Sequence, residues 1–143
     1  MAVFPDTETA KKCLGGMFDM IAADENLGQR FANLNIKVRF EFVKPDFNIM
    51  IDMTKPDEQG RPITVIKEAH DIEPDAVMQF DCDFAHKFFQ GKANVLLGVM
   101  KRKIVVVKGN VDEIEKIVPA MKSAFAKYPG MLEELGCADL IGK

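Results

Sequence analysis

The chain changes its hydrophobic period near residue 36 and changes it back after residue 82, and this constrains the fold more than any other feature. Ile36, Val38, Phe40 and Phe42 alternate with Lys37, Arg39 and Glu41. After a turn at Pro45 and Asp46, Phe47, Ile49, Ile51 and Met53 alternate with Asn48, Met50 and Asp52. The pattern predicts an antiparallel hairpin with one wet face. Turn formers from Lys55 to Gly60 lead to a third strand through Ile63, Val65 and Lys67. Pro74 and Asp75 introduce a fourth that carries Ala76, Met78, Phe80 and Cys82 inward. These four strands read as a meander.

Helical spacing holds on either side. Ala10, Cys13, Leu14, Met17, Phe18 and Ile21 form one stripe, with Asp6 or Thr7 as its cap. Gly15 and Gly16 lie inside it, each costing about 1 kcal/mol relative to Ala, so close packing or a break is expected there. Leu27, Phe31 and Leu34 mark a second short helix from Asp24. Asp83 is placed to cap a helix bearing Phe84, Phe88 and Phe89 that stops at Gly91, and another helical stretch runs from Ala93 to Met100. The β-branched run Ile104 to Val107 reads as a central strand covered on nearly both faces. Asn110 with Glu113 opens a helix striped by Ile114, Ile117, Val118, Met121, Phe125 and Tyr128 and ended by Pro129 and Gly130; Met131 to Ile141 form a short amphipathic tail. The expected class is α+β, a five-stranded, mainly antiparallel sheet with helices packed on one face, folded as a single domain over residues 1–143.

Composition narrows the function classes. A chain of 143 residues that is 48% hydrophobic fills one core, which excludes disorder. Lys+Arg 19 against Asp+Glu 22 gives a net charge of −3, without an aromatic-studded basic tract, which argues against nucleic acid. Nine Met and 11 Phe beside one Tyr and no Trp favour soft, adaptable apolar surface. The uncharged run from Val95 to Met100 is far short of the ~20 residues a membrane helix needs, and Asp6 and Glu8 stand where an export signal carries positive charge. A cytoplasmic location is expected, with Cys13, Cys82 and Cys137 as reduced, buried thiols.

Gly91 and Lys92 lack the partner glycine of a phosphate loop, and no nucleophile-elbow, zincin or dinucleotide motif is present. Neither catalysis nor a cofactor is indicated. Asp81, Cys82 and Asp83 with His86 invite a metal reading, but Ala85 stands at the next position a calcium loop needs, so strand edge plus helix cap is the better account. A nucleophilic role for Cys82 with His86 is the weakest reading. His70 and Asp71 read as a polar connection.

The stretch from Phe80 to Pro129 resembles the sterol carrier protein 2 family of non-specific lipid-transfer proteins. The matching features are Asp83 opening a helix, the Gly91–Lys92 step, the apolar turn Val95 to Met100, Lys103, the strand Ile104 to Val107, and Gly109 with Asn110, all without a gap. Gly98 stands where the family commonly has Ala, and Arg102 where it commonly has Gly. The resemblance implies a hydrophobic tunnel between sheet and helices that holds an apolar lipid: a fatty acyl chain, a sterol-like molecule or an isoprenoid. An empty, uncollapsed pocket of ~300 Å³ would cost about 7 kcal/mol, comparable to a domain's whole stability. Either the cavity is occupied, or it is shallow and floored by adaptable residues such as Met100, Met121 and Met131. On this resemblance the lining residues are Phe40, Ile51, Phe84, Phe88, Leu96, Val99, Met100, Met121, Phe125 and Leu132.

Two expectations concern partners. Lys101, Arg102 and Lys103 either complement a helix end or dock on anionic lipid headgroups. An exposed patch along Met131, Leu132, Leu135 and Leu140 would suit a homodimer or an accessory subunit that presents a lipid or quinone precursor to a separate enzyme.

Overall fold

The computed structural model describes residues 3–68, 71–109 and 111–143, apart from the side chains of Val111, Glu113 and Ile114. The readings made for His70, the Asn110 cap and the Ile114 side chain lie outside the described residues.

Helix α1 (Thr7–Ala23) starts where Asp6 accepts from the Thr9 N–H at 2.8 Å, and buries the stripe read from the sequence. It runs unbroken through both glycines. A Cβ on Gly15 would meet Ile49 Cδ1 at 3.3 Å, and one on Gly16 would meet Leu135 Cδ1 at 3.0 Å and Met131 Sδ at 3.1 Å. The helix therefore presses on the sheet through one glycine and on the C-terminal segment through the other. Helix α2 (Glu25–Ala32) follows, capped by Asp24.

Strands β1 (Lys37–Val43) and β2 (Phe47–Asp52) form the antiparallel hairpin, with Phe40 opposite Ile49 and Val38 opposite Ile51. The wet face is only partly so, because Asn48, Met50 and Asp52 are all buried. Met50 stands in register between Arg39 of β1 and Ile66 of β3 (Thr64–Lys67), whose long side chains flank it on that face. The meander ends at β3. Strand β4 (Ala76–Asp81) passes to the other side of the hairpin and pairs parallel with β1, giving the order β3-β2-β1-β4-β5. β5 (Ile104–Lys108) is accordingly an edge strand, not a central one: Ile104 is buried, while Val107 is 56% exposed. A short β-branched run does not reveal how many neighbours a strand has.

The helices cover the face that carries Val38, Phe40, Phe42, Ile49, Ile51, Met78 and Phe80. The last helical region differs from the expected one. Helix α5 (Val111–Lys122) gives way to a 3₁₀ turn, Phe125–Lys127, and Pro129 then sits in the first turn of helix α6 (Tyr128–Glu134) instead of ending a helix. Proline fits there because the first turn has no intrahelical partner for its missing N–H. A final 3₁₀ turn, Ala138–Leu140, closes on the core. Among the described residues no helix is long and apolar enough to cross a membrane.

Candidate functional site

Two short helices build one end of the molecule. Helix α3 (Cys82–Phe89) begins two residues earlier than read, and Asp81, not Asp83, is its cap, accepting from the Phe84 N–H at 3.0 Å. Asp83 instead accepts from the Val3 N–H at 2.9 Å. The helix closes in a Schellman motif: the Gly91 N–H donates to Phe88 and the Lys92 N–H to Lys87, with Gly91 at φ +75°. Helix α4 (Val95–Met100), capped by Asn94, ends in the same motif, the Arg102 N–H donating to Val99 and the Lys103 N–H to Gly98. Here an arginine occupies the left-handed position, at φ +59°. The glycine that the resemblance leads one to expect here would have a backbone reason, and this chain has Arg102 instead.

Gly98 is the one residue of α4 that is buried, and it lies under Phe84. A Cβ there would stand 2.4 Å from Cζ of the Phe84 ring, closer than any real contact. Glycine at 98, where the resemblance leads one to expect alanine, is thus what lets the tip of the ring close on the helix backbone. Phe84 also lines a solvent-open groove of about 580 Å³ with Ala93, Leu97, Asp81 and Asp83. Lys44, Lys87, Lys92, Lys101 and Lys103 surround it. Both carboxylates are already engaged on backbone N–H groups. Among the described residues only Lys103 of these lysines has an ion-pair partner, Asp81 at 3.7 Å.

A second groove of about 640 Å³ lies on the other side of the 91–95 connection. Lys92, Ala93 and Asn94 line both, and Val118, Lys122 and Phe125 line the second. Phe88 stands between them. Its ring stacks on Phe84 at 6.3 Å between centroids and meets Phe125 edge-on at 5.0 Å. It also continues inward to Phe80 at 6.2 Å, from which Phe40 is 5.9 Å away and Phe18 a further 4.9 Å.

The ten lining residues read from the resemblance therefore fall into three groups. Phe84, Phe88 and Phe125 come together as the wall between the two grooves. Phe40, Ile51, Met121 and Leu132 are buried in the core, where, among the described residues, packed phenyl rings occupy the space between the layers. Leu96, Val99 and Met100 face solvent, 68%, 45% and 71% exposed. The resemblance put them on an inner face, but α4 lies at the edge of the layer, where Gly98 is buried and Val95 packs partly against the core.

The remaining chemistry-bearing residues are structural. His86 is fully buried, with Nε2 2.8 Å from the Leu140 carbonyl and Nδ1 2.8 Å from the Tyr128 hydroxyl. A carbonyl only accepts, so Nε2 carries the proton and Nδ1 accepts from the phenol; burial holds the imidazole below its ordinary pKa. The Cys82 thiol donates to the Pro45 carbonyl at 3.3 Å, and burial pushes it up to about 12. Cys82 and His86 thus have separate partners. Burial, with the nearby Cys137 thiol as a second cause, pushes Cys13 up to about 12 as well. The patch expected at Met131, Leu132, Leu135 and Leu140 is not exposed: Leu132 is 0% exposed, Met131 and Leu140 are buried, and Leu135 is half-buried against Gly16. Beside it an open groove of about 850 Å³ runs along α1 and α6, but three of its cations, Arg61, Lys67 and Lys127, are neutralised by Asp57, Asp19 and Asp24.

No protein-family model and no curated protein matches the sequence. Solved structures do share the fold. The apo form of sterol carrier protein 2 from Yarrowia lipolytica aligns with a TM-score of 0.62 at 20% identity, over 87% of this chain and 98% of its own. Sterol carrier protein domain 2 of Helicoverpa armigera gives 0.59 at 18% identity, over 80% of this chain and 89% of its own. A ubiquinone synthesis protein, UbiJ-SCP2, gives 0.54 at 11% identity, over 76% and 84%. The chain has the sterol carrier protein 2-like α+β fold.

Proposed function

We propose that this protein is a non-catalytic lipid carrier that takes an apolar chain between sheet and helices through the α3–α4 end. The observation that carries the reading is the Phe84–Phe88–Phe125 wall between two open grooves. Grooves of about 580 and 640 Å³ each fall in the range of ligand pockets, roughly 300–1,000 Å³, and a turn of Phe88 away from its neighbours joins them. Rings, unlike backbone, move at modest cost, so the closed arrangement serves as the ligand-free state and no void has to be maintained. Phe84 is the outermost ring and the first an entering chain displaces. Phe40, Ile51, Met121 and Leu132 then form the deep wall, with Leu96, Val99 and Met100 at the rim. Burial of about 15 methylenes at about 0.8 kcal/mol each supplies the gross drive, reduced by the cost of ordering the chain. Apolar walls select by shape, which suits a fatty acyl, sterol-like or isoprenoid ligand.

The test is native mass spectrometry of freshly purified protein, followed by organic extraction of what is released. A small molecule in near-stoichiometric amount supports the carrier and names its class. A clean apo mass with no uptake from a mixed lipid extract contradicts it. A second reading, an accessory subunit that presents a lipid to a biosynthetic enzyme, draws on the fold shared with the ubiquinone synthesis protein.

A further inference from the structure

We infer that α4 and the basic residues around it form a docking surface for an anionic lipid bilayer. This deepens the carrier reading and rests on it for its purpose, since it sets the groove mouth against the lipid source. The apolar half of the argument is exposure. Leu96, Leu97, Val99 and Met100 occupy four of the six positions of α4 and are 68%, 49%, 45% and 71% exposed. Of the five large hydrophobic residues exposed among those described, only Val107 lies elsewhere, on β5. Isolated exposed apolar side chains are ordinary, whereas a contiguous cluster of this kind marks a contact surface.

The electrostatic half selects the partner. Lys101 and Arg102 follow α4 directly, Lys92 precedes it, and Lys44 and Lys87 complete a basic rim round the groove that Leu97 lines. Among the described residues none of these five cations has an ion-pair partner. The groove along α1 and α6 provides the contrast, because there carboxylates answer three of the cations. In a chain of net charge −3, five unanswered cations around an apolar tip make one face suited to a headgroup layer with negative charge above hydrocarbon. Asp81 and Asp83 are the acidic groups in the groove, and both face inward on backbone N–H groups.

The test is vesicle sedimentation with the full chain, using phosphatidylcholine with and without phosphatidylserine. Binding is expected only with the anionic lipid, and to fall as salt is raised. Leu96→Ser with Met100→Ser lowers the partition at least tenfold while leaving the thermal transition unchanged, because both side chains are already in water. Arg102→Asn, which tolerates the left-handed backbone, lowers it about fivefold. The chain has no Trp, so Met100→Trp provides a single reporter whose emission shifts to the blue on insertion. Equal binding to both vesicles, no binding to either, or an unshifted Trp overturns the proposal and gives the face to a protein partner. Docking and lipid uptake are read separately: a protein that extracts lipid from detergent but ignores vesicles fails only this inference, and one that docks without taking up lipid fails only the carrier reading.

Discussion

The α1–α6 side and the α3–α4 end each contain a glycine pressed by a neighbour, yet they do opposite things with it. Gly16 admits Leu135 and Met131 into a layer where Cys13, Leu14, Met17 and Phe18 are 0% exposed. Gly98 admits one ring, Phe84, beneath a helix whose other large residues mostly face water. The first contact ties α1 to the C-terminal segment along the open groove there, and the second holds the Phe84 ring at the lip of the α3–α4 groove. On the proposed reading the first serves stability and the second the lipid site.

The largest test of that separation is in the ring column. Phe40→Ala should cost about 3–5 kcal/mol in urea unfolding, because the column cannot collapse into the space it leaves, whereas Leu96→Ala should stay within about 0.5 kcal/mol. Comparable losses in the two would dissolve the distinction. Next comes the buried imidazole. His86→Ala leaves the buried Tyr128 hydroxyl without a partner and removes one of the two donors to the Leu140 carbonyl, which keeps the Lys143 N–H, at about 1–3 kcal/mol. In the parent protein the folded-state pKa of His86 lies below the ordinary 6.5, so the unfolded chain binds the extra proton first. Its contribution is complete above pH 6.5 and is lost as the pH falls below that value. Unfolding midpoints across the acid range check this, and a His86→Ala variant should lack that component.

The glycines give the sharper contrast. Gly16→Val overpacks a tight contact and should cost about 1–3 kcal/mol without changing lipid uptake. Gly98→Ala drives Phe84 from its place over α4; it should cost less and should speed uptake of a fluorescent fatty acid. A Gly98→Ala protein that loses stability but takes up lipid at the parent rate would make Phe84 simple core. Smallest is Arg102→Gly, which relieves a left-handed arginine and should raise stability by up to about 1 kcal/mol by thermal melting.

The sequence was most legible where periodicity decides. The helical stripe from Ala10 to Ile21 and the Phe40–Ile49 hairpin could be read from it, while at Gly15 and Gly16 it left close packing and a break as alternatives, of which the structure has the first. It was silent where the answer depends on which elements become neighbours. Alternation sets the inward face of β4 but not that it pairs parallel with β1, and a run of valines does not distinguish an edge from a centre. The same limit divides the candidate site. Phe84, Phe88 and Phe125, expected as lining, do meet, while Leu96, Val99 and Met100 carry the same apolar signal on the exposed side of α4. Partners such as His86 with Tyr128 are too far apart in sequence for any spacing rule to pair them.

The central claim, that lipid enters by displacing the ring wall at the α3–α4 end, is tested most directly by an NMR titration with a long-chain fatty acid, following backbone and aromatic resonances. The account predicts saturable shifts centred on Phe84, Phe88, Leu97, Gly98 and Phe125, with α1 from Cys13 to Phe18 nearly still. Shifts centred instead on the α1–α6 groove, or none at saturating ligand, would contradict it.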